Sequence, residues 1–412
     1  MRVGISAFFL KYPISGIGQY SIHLLKALGA VDPQNEYALL GPRSIIEQSN
    51  ILKVFPCQMR SVDRFVPSFV SSLVSSNEQI EKLLWEQAFG PALALKAGVD
   101  VFHVPYFAPP VFSRTPMVVT IHDGLQFQLP AYQSSGKRRA YLRFIGRAAH
   151  KAARIITVSH HARQDIIDVL HIAPERVRVI YEAAGDEYRP VTNPDMLAKT
   201  RARYGVGDCY VFYLGGHDRR KNVSQLVRSF AHLFHRLGNP DLQLFISGDP
   251  DRQRGPLFRD PRQVAAAVGV TDNVIFRFVK DEDKPAIYSG ARLFAFPSLY
   301  EGFGLPPLEA MCCGAPVICS NRTSLPEVVG DAALSIDPDD TTAFAGAMYD
   351  ILTNDALRAD LQARSLRRAS LFSWQKAATE TLAVYQEAIA DSKHERHHFF
   401  RKDDVWQRNQ CV

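Results

Sequence analysis

Short apolar runs alternate with segments of helical periodicity along the chain, and the alternation occurs in two successive series. The first series predicts strands at Arg2–Ser6, Tyr37–Leu40, Val101–His103, Met117–Ile121, Ile155–Val158 and Val177–Ile180. The second predicts strands at Tyr210–Leu214, Leu242–Ser247, Val274–Phe278, Leu293–Phe296 and Val317–Ser320. Continuous apolar strands separated by helices are typical of parallel sheets that are covered on both faces. The pattern therefore predicts an α/β protein with two doubly wound, Rossmann-like domains.

The division between the two domains is predicted where the apolar periodicity is lost. A chain of 412 residues exceeds what one hydrophobic core normally organises. Between Gly185 and Asp195 the sequence gains turn-forming residues. We expect an N-terminal domain at 1–188 and a C-terminal domain at 189–372, followed by a helix at 373–392. The tail at 393–412 carries mixed charge and aromatic residues and has no assigned role.

The composition is that of a soluble globular enzyme, with 46% hydrophobic and 22% charged residues. No apolar run is long enough to cross a membrane, and Lys11 and Pro13 interrupt the N-terminal segment, which argues against a secretory signal. The six cysteines lack C-x-x-C spacing and fit a reducing compartment. A net charge of +6 without a recognisable module predicts no nucleic-acid partner. The expected location is cytoplasmic.

Two glutamates flank a glycine-containing turn after the strand Leu293–Phe296. Glu301 falls at the predicted carboxyl end of this strand, where ligands of open α/β sheets bind. Free N–H groups at the start of the next helix favour a diphosphate. Glu309, expected in the first turn of that helix, can accept hydrogen bonds from the vicinal hydroxyls of a ribose, and Glu301 from a sugar ring. The alternative is that Glu309 only complements the helix dipole and Glu301 is a solvated loop residue.

A longer motif surrounds these glutamates. The segment P-S-L-Y-E-G-F-G-L-P-P-L-E-A-M-C-C-G-A-P-V-I, followed by S-L-P-E-V-V-G-D-A-A, resembles the signature of the retaining glycosyltransferases of family 4. The similarity continues in G-I-G-Q-Y, T-I-H-D-G, T-V-S-H-H-A and G-G-H-D-R-R-K-N-V. These motif variants look most like those of bacterial polysaccharide mannosyltransferases.

The resemblance implies the GT-B fold, with two Rossmann-like domains facing across a cleft and a late helix that crosses back to the first domain. It implies transfer of a hexose, with retention, from a nucleotide diphosphate sugar to a glycan or lipid-linked acceptor in polysaccharide biosynthesis. Neither a metal ion nor a cofactor is expected, and GDP-mannose is the first expectation for the donor. A sugar-nucleotide epimerase of the same fold and a non-catalytic scaffold with a vestigial donor site are the alternatives.

The resemblance also assigns donor binding to the turn that carries the paired glutamates and to the helix that follows it. The residues concerned are Glu301, Gly302, Phe303, Gly304, Leu305 and Glu309. Glu301 is expected to be catalytic as well. Val279, after the strand Val274–Phe278, is expected to contact the base of the donor through its backbone.

A second group of candidate residues lies in Gly215–Asn222, directly after the strand Tyr210–Leu214. Gly215 opens the turn, and Arg220 and Lys221 place two cations at its end. A departing diphosphate gains negative charge in the transition state, so cations fixed near it lower the barrier. Cations at the start of a helix are unfavourable, because they oppose the helix dipole. Their presence here therefore indicates a role other than helix stability, such as diphosphate binding.

The family resemblance assigns diphosphate binding and catalysis to Lys221 in R-K-N. Many members carry an arginine just after the first glycine of this loop, but Gly216 stands there in this chain. Either Arg219 or Arg220 is expected to replace it, and Arg220 is the assigned donor-binding residue.

Two further motifs precede these in the chain. Gly16 and Gly18 follow the first strand and precede a helix expected from about Gln19. Alone they are weak evidence of a dinucleotide site, because the third glycine and the acidic residue at the end of the second strand are missing. They match the family loop that closes over the donor diphosphate and sugar. His122 matches the family H-D position and is expected to contact the transferred sugar as a catalytic-site residue. The alternative is a strand-end histidine satisfied by backbone.

A basic stripe lies on the helix predicted from about Ser135 to Arg154. Arg139, Arg143 and Arg147 fall on one face at 100° per residue. Such a stripe can hold a lipid-linked diphosphate acceptor or touch anionic lipid headgroups at the inner face of a membrane. The alternative is a solvated face of a helix packed on the core.

The carboxylate clusters Asp249–Asp251 and Asp281–Asp283 are the candidate metal ligands. The first follows a glycine turn and the second fits a helix start. Helix capping is therefore the better account of both.

Overall fold

Two structural units make up the computed structural model, one formed by residues 1–181 with the chain from 374 onward and the other by residues 182–373. The structure describes residues 1–13, 15–49, 51–54, 59–62, 78–128, 132–133, 135–248, 250 and 258–408, and the side chains of these residues outside 54–79 and 393–408. The side chains of the predicted tail at 393–412 lie outside the described part.

The first unit contains a seven-stranded parallel sheet with strand order β3-β2-β1-β4-β5-β6-β7. Its strands are β1 (Arg2–Ser6), β2 (Glu36–Leu40), β3 (Met59–Val62), β4 (Val101–Val104), β5 (Met117–Thr120), β6 (Arg154–Thr157) and β7 (Val177–Val179). The central strands β4 and β5 are buried along their whole length, as expected for a sheet covered on both faces.

The second unit contains a six-stranded parallel sheet with strand order β10-β9-β8-β11-β12-β13. Its strands are β8 (Tyr210–Leu214), β9 (Gln243–Ser247), β10 (Val274–Arg277), β11 (Leu293–Phe296), β12 (Val317–Ser320) and β13 (Ala333–Ile336). The order reverses between β8 and β11. Their carboxyl ends therefore form the switch point at which such sheets bind ligands.

Helices connect the strands in both units. In the first unit they are α1 (Gly16–Val31), α2 (Arg43–Gln48), α3 (Ile51–Val54), α4 (Glu78–Leu84), α5 (Gly90–Lys96), α6 (Leu125–Gln128), α7 (Gly136–Ala149) and α8 (His160–Leu170). In the second they are α9 (Pro194–Tyr204), α10 (Val223–Leu237), α11 (Pro261–Ala267), α12 (Lys284–Gly290), α13 (Leu305–Cys312), α14 (Leu325–Val329), α15 (Thr341–Thr353) and α16 (Asp355–Ala369).

The last helix, α17 (Trp374–Arg408), belongs to the first unit. Short 3-10 turns occur at Phe8–Lys11, Pro174–Arg176, Arg219–Lys221, Thr271–Asn273, Asp281–Asp283 and Gly330–Ala332, and a π-helical turn at Trp85–Phe89 joins α4 to α5. No helix among the described residues is both long enough and apolar enough to cross a membrane.

The predicted fold class, two doubly wound domains, is confirmed. Every predicted strand is present, with ends that differ by no more than one residue, whereas β3 and β13 are additional. The prediction that α1 begins near Gln19 is wrong, because the Ser15 hydroxyl accepts a hydrogen bond from the Gly18 N–H and starts the helix at Gly16. The prediction that the basic helix extends to Arg154 is wrong: the helix ends at Ala149, and Arg154 is the first residue of β6.

The boundary between the units falls between Tyr181 and Glu182, before the boundary expected after residue 188. Tyr188 lies edge-on to Tyr288, and the Val191 N–H donates to Ser289. These contacts attach the connecting segment to the second unit.

The helix α17 is held in the first unit by one buried hydrogen bond, by ion pairs nearer the surface and by a ring contact. The Tyr385 hydroxyl lies 2.7 Å from Nδ1 of His103 in β4, and the Glu387 carboxylate lies 2.9 Å from both Arg154 and Arg178. The Trp374 ring stacks on His23 of α1. The chain thus returns to its first unit, as the resemblance implies for this helix.

Candidate active site

The turns that follow β8 and β11 lie side by side, because these strands are neighbours in the second sheet. The Leu299 N–H donates to the Arg220 carbonyl at 2.7 Å, and the Ser298 hydroxyl donates to the same oxygen at 3.3 Å. These backbone contacts join the two segments that the sequence singled out.

Glu301 is the centre of the resulting cluster. Its Oε1 accepts from Lys221 Nζ at 2.6 Å and from the Ser298 hydroxyl at 2.5 Å, and its Oε2 accepts from Arg220 Nη1 at 3.0 Å. Glu301 is 8% exposed. The structure therefore brings together Glu301, Lys221 and Arg220, while Arg219 is exposed at the surface.

The contacts within the cluster change the pKa values of Glu301 and Lys221. Burial raises the pKa of Glu301, but Lys221 and Arg220 lower it by more, so the net pKa lies below the ordinary value. Burial lowers the pKa of Lys221, and Glu301 only partly opposes this. Asp218 lies 3.7 Å from Arg220 Nε. The two cations are thus balanced by two carboxylates and are held largely out of water.

The backbone of the glutamate turn is fixed by two hydroxyl side chains that the sequence did not single out. Thr323 Oγ1 accepts from the Glu301 N–H at 3.1 Å, and the Ser324 hydroxyl donates to the carbonyls of Glu301 and Phe303. Ser324 is the first residue of S-L-P-E in the family motif and Thr323 directly precedes it, which is the signal that could have identified them. They orient Glu301 without contacting its carboxylate.

Gly304 ends the glutamate turn in a conformation reserved for glycine. Its φ is +126°, and a Cβ there would lie 2.7 Å from Leu325 Cδ2. Leu305 begins α13, with proline in the first turn as expected. Phe303 is buried, with its ring edge-on to Phe372, and Gly302 is half-buried beside it.

The turn that follows β8, Gly215–Asn222, is also held in a fixed conformation. A Cβ at Gly215 would lie 2.6 Å from the Tyr213 hydroxyl, which donates to the Gly216 carbonyl. The Asp218 carboxylate accepts from the Arg220 N–H and starts the 3-10 turn that carries both cations. Asn222 then adopts a left-handed φ of 56° before α10 begins. This geometry fixes the backbone beneath Lys221.

Glu309 does not lie in the first turn of α13. The helix begins at Leu305, so Glu309 belongs to its second turn and the predicted position is wrong. The Tyr288 hydroxyl donates to its Oε2 at 2.9 Å, and burial raises the pKa of Glu309 above its ordinary value. Dipole compensation is correspondingly weaker as an explanation, because that effect is confined to the first turn.

Val279 is buried, and its N–H donates to the Ser247 hydroxyl at 3.3 Å. Phe278, the residue before Val279, lines a cavity of about 490 Å³ together with Gly248, Arg262 and neighbouring residues. The cavity extends along the whole of β10, and Val279 is not among its lining residues, so the base contact stays a prediction.

The capping account of Asp281–Asp283 is wrong for Asp283. Its carboxylate accepts from Arg203 Nη1 at 2.6 Å and from the Tyr204 hydroxyl at 2.7 Å, and makes no hydrogen bond to a helix N-terminus. Asp249 and Asp251 lie outside the described residues. Within the described part of the chain, no group of three or more histidine, cysteine or acidic side chains has an arrangement that could hold a metal ion.

In the first unit, His122 follows β5 and lies over the side chain of Tyr20. The two rings meet edge-on at 4.7 Å, and His122 Nε2 is 3.4 Å from the Pro105 carbonyl. The neighbouring Asp123 accepts from the Leu125 N–H at the start of α6. His122 is therefore partly satisfied by backbone, as its alternative explanation requires, and is half-buried rather than enclosed.

Gly18 has a packing role that its motif did not indicate. A Cβ at this position would lie 2.1 Å from the Tyr12 carbonyl oxygen, whereas a Cβ at Gly16 would meet nothing within 4 Å. The close approach of the chain to the first turn of α1 explains glycine at position 18. Of these two glycines, Gly16 is the one where a Cβ would meet open space.

A buried polar chain lies beneath His122 and was not predicted. Tyr20, Thr120, His103 and Tyr385 are linked by successive contacts of 3.1, 2.8 and 2.7 Å. Burial, with a smaller effect of His122, lowers the pKa of His103 to about 3. This histidine is thus neutral and structural. No local pattern marks it, because its partners are distant in sequence.

Glu86 is a second buried group that the sequence did not reveal. It lies in the π-helical turn between α4 and α5, where it accepts from the Tyr141 hydroxyl at 3.0 Å and lies 3.6 Å from Lys82. Burial raises its pKa to about 7, and Lys82 opposes this only in part. The folded state therefore favours the protonated form, and its stability falls as the pH rises from 4.5 through 7.

Replacing Glu86 with glutamine is expected to raise the free energy of unfolding at pH 8 by up to about 3 kcal/mol, because a shift of this size corresponds to ~1.4 kcal/mol per pH unit. Below pH 4.5 the variant and the wild type should be equally stable. Urea unfolding at both pH values measures the effect, with Glu81→Gln, a more exposed position on the preceding helix α4, as control. An equal difference at both pH values would contradict the assignment.

The comparisons with known proteins agree with this geometry. The model of Glycosyltransferase Family 4 matches residues 14–184, and that of Glycosyl transferases group 1 matches residues 200–368. The chain is 32% identical over 395 residues to O-antigen chain mannosyltransferase B of Escherichia coli, covering 94% of this chain and 100% of that protein. The chain belongs to glycosyltransferase family 4.

Further similarities come from a longer relative and from a solved structure. The serotype-specific mannosyltransferase WbdA of Escherichia coli is 33% identical over 247 residues, which are 59% of this chain and 30% of WbdA. The crystal structure of Anabaena Alr3699/HepE in complex with UDP and glucose has a TM-score of 0.69 and 18% identity, covering 94% of this chain and 99% of that one. The GT-B fold of this family 4 glycosyltransferase is thereby confirmed.

Proposed function

We propose that this glycosyltransferase moves a mannosyl group from GDP-mannose to a glycan or lipid-linked acceptor, with retention of the anomeric configuration and without a metal ion. The observation that carries the proposal is the buried cluster of Lys221, Arg220 and Glu301 at the switch point of the second sheet. The names of the relatives in Escherichia coli support mannose as the transferred sugar and a polysaccharide as the product.

In this proposal, Lys221 and Arg220 bind the donor diphosphate. The bond between the sugar C1 and the phosphate oxygen breaks, and the two cations stabilise the negative charge that develops on the departing diphosphate. The acceptor hydroxyl attacks C1 on the same face and transfers its proton to a phosphate oxygen. Glu309 accepts hydrogen bonds from the ribose.

Glu301 has a double role in this scheme. Before the donor binds, its oxygens are occupied by Lys221, Arg220 and Ser298. An arriving diphosphate competes for the cations and frees carboxylate oxygens to accept hydrogen bonds from the sugar hydroxyls. Sugar and diphosphate recognition are therefore coupled through one side chain.

The donor is tested by thermal shift with GDP-mannose, UDP-glucose and other common nucleotide sugars. A donor present at about 100 times its Kd adds about 2.7 kcal/mol to the free energy of unfolding. We expect GDP-mannose to give the largest shift. Incubation of enzyme with donor alone separates transferase from epimerase, because an epimerase converts the sugar without an acceptor. A larger shift with another nucleotide sugar would overturn the choice of donor.

Turnover is expected to persist in EDTA, with an initial rate within about twofold of the untreated enzyme, because two side-chain cations take the place of a metal at the diphosphate. NMR of the product checks retention in the same reaction. Loss of turnover that added Mg²⁺ or Mn²⁺ restores would refute metal independence.

A further inference from the structure

Thr323, in the turn that follows β12, has a backbone conformation that β-branched residues rarely adopt. Its φ is +58°, in the left-handed region, where a side chain branched at Cβ crowds the backbone. Among the described residues other than glycine, His171 and Asn222 also have a positive φ, and histidine and asparagine tolerate this region better than threonine does. Glycine would adopt the same conformation without strain. The backbone alone therefore favours glycine over threonine at this position.

The Thr323 side chain supports the turn that carries Glu301. Its Oγ1 accepts a hydrogen bond from the Glu301 N–H at 3.1 Å. The hydroxyl of Ser324 donates to the Glu301 and Phe303 carbonyls at 3.0 and 2.6 Å. Two successive hydroxyl side chains thus make three hydrogen bonds to the backbone of the glutamate turn. Glycine at position 323 would remove the acceptor of the Glu301 N–H.

The residues on either side of Thr323 are anchored and keep it in the left-handed conformation. Arg322 Nη2 lies 2.7 Å from a carboxylate oxygen of Asp337 and 2.7 Å from one of Asp339. These ion pairs attach the turn to the segment that follows β13, while Ser324 attaches it to the glutamate turn. A strained conformation persists only where the surrounding contacts determine it, and such residues concentrate at functional sites.

The segment that anchors the Thr323 turn also anchors the turn of the two cations. Asn222, which directly follows Lys221, donates from Nδ2 to the Pro338 carbonyl at 2.9 Å. The loop after β13 therefore contacts both turns of the ion-pair cluster. It fixes the backbone that carries the cations relative to the backbone that carries the carboxylate.

We propose that Thr323 is a positioning residue for sugar transfer, whose strained conformation is retained because its hydroxyl fixes the Glu301 backbone and so holds the carboxylate on Lys221 and Arg220. Thr323 acts through Glu301 and is not itself catalytic. The consequence for transfer rests on the proposed function of this site, whereas the consequence for the ion pairs rests on the geometry alone. Activity and stability therefore make opposite demands on position 323.

Three substitutions separate the hydroxyl from the strain. Thr323→Ser keeps the acceptor, Thr323→Val keeps the branched shape but loses the acceptor, and Thr323→Gly removes both acceptor and strain. We expect the serine variant to retain kcat/KM for the donor within about threefold, and the other two to lose about 10–100-fold. The glycine variant should still melt at a higher temperature than the valine variant, because a left-handed φ suits glycine.

The control is Thr353→Val, which removes a hydroxyl at the end of α15 in the same unit and should keep wild-type kinetics. If Thr323 served only the fold, activity would follow melting temperature across the three variants, and the glycine variant would be more active than the valine variant. That order would overturn the proposal, as would wild-type kcat/KM in the glycine variant.

Binding of GDP alone separates positioning of Glu301 from collapse of the site. Lys221 and Arg220 remain in every variant, so calorimetry should show GDP binding at most about twofold weaker than in the wild type. A fall in GDP affinity as large as the fall in kcat/KM would mean that the diphosphate site itself is lost. The positioning role would then be refuted.

Urea unfolding tests the ion pairs without a substrate. Burial raises the pKa of Glu301, but Lys221 and Arg220 lower it by more, while Asp218 contacts Arg220 from its other side and Tyr213 faces the carboxylate from β8. The contribution of the carboxylate to stability is therefore present above its ordinary pKa and is lost as the pH falls through the folded value.

In the valine and glycine variants the carboxylate is held less firmly, so acidification below about pH 4.5 should lower their urea midpoints less than those of the wild type and the serine variant. Equal decreases in all four proteins would refute the role of Thr323. A wild-type enzyme that transfers no sugar would refute the proposed function instead, and the unfolding result would still decide the role of Thr323.

Discussion

Replacing Lys221 with alanine is expected to lower kcat for sugar transfer by about 10³-fold, because one preorganised group that stabilises transition-state charge contributes 10²–10³ in comparable sites. Lys221 is held 2.6 Å from Glu301 and lies 5.1 Å from the Phe296 ring centroid. Water therefore cannot easily replace the missing ammonium. Steady-state kinetics with saturating donor and acceptor measures the loss.

The matched control is Arg228→Ala, which removes an exposed cation from α10, the helix that follows the site. It should retain wild-type turnover. The melting temperature of each variant separates a catalytic loss from unfolding, because Arg220 still pairs with Glu301 after Lys221 is removed. Wild-type turnover by a folded Lys221→Ala variant would refute the role assigned to Lys221.

The main components of the site could be predicted because they follow central strands. β8 and β11 are short, continuously apolar runs, and in a parallel sheet their carboxyl ends carry the ligand-binding turns. The direct ion pairs of Glu301 could not be predicted, since they depend on how Thr323 and Ser324, which follow Glu301 by 22 and 23 residues, orient its turn. Composition and spacing contain no information about that long-range contact.

The strands that the sequence missed lie at the edges of their sheets. β3 is the outermost strand of the first sheet, and its M-R-S-V sequence has only two apolar residues. β13 is the outermost strand of the second, and only its first residue, Ala333, is buried. Edge strands need less apolar sequence, because one side lacks a neighbour. Periodicity therefore identified the central strands and one edge strand of each sheet, β7 and β10, but missed the opposite edge strands β3 and β13.

The predictions for Asp283 and Glu309 were wrong for a common reason. Each was inferred from the local sequence pattern, whereas the hydrogen-bond partners of each carboxylate come from other helices. Asp283 fits a helix start by sequence, but Arg203 and Tyr204 from α9 take its carboxylate. Glu309 fits a first turn, but α13 begins at Leu305, and its carboxylate accepts from Tyr288 of α12. Charged contacts with distant residues outweigh a capping hydrogen bond.

Replacing Glu301 with glutamine is expected to lower kcat/KM for the donor by about 10²–10³-fold, because the amide keeps the shape of the carboxylate but loses its charge and one acceptor site. Glutamine cannot neutralise Lys221 and Arg220, which then lie buried without the carboxylate that both contact. The variant should also be less stable by about 3–5 kcal/mol at neutral pH, the cost of breaking a buried pair from one side. Donor titrations and urea unfolding measure the two effects.

The pH dependence of stability distinguishes this charge effect from a loss of packing. The folded pKa of Glu301 is lowered, so its contribution is fully present above the ordinary pKa and is lost as the pH falls through the folded value. The difference between wild type and Glu301→Gln should therefore shrink on acidification below about pH 4.5. A difference that is constant across this range would mean that the carboxylate charge is not what stabilises the turn.

A double-mutant cycle with Lys221→Met tests the coupling between the two residues. Each single variant removes the same ion pair, so the double variant should be about as inactive as the worse single one, and the stability losses should fall short of additivity by about 0.5–3 kcal/mol. The remaining Arg220 still donates to the Tyr300 carbonyl, which keeps the turn in place in all three variants. Additive losses in both activity and stability would mean that Lys221 and Glu301 act independently. The proposal that the Glu301 carboxylate exchanges its contact with Lys221 for hydrogen bonds from the sugar hydroxyls would then be refuted.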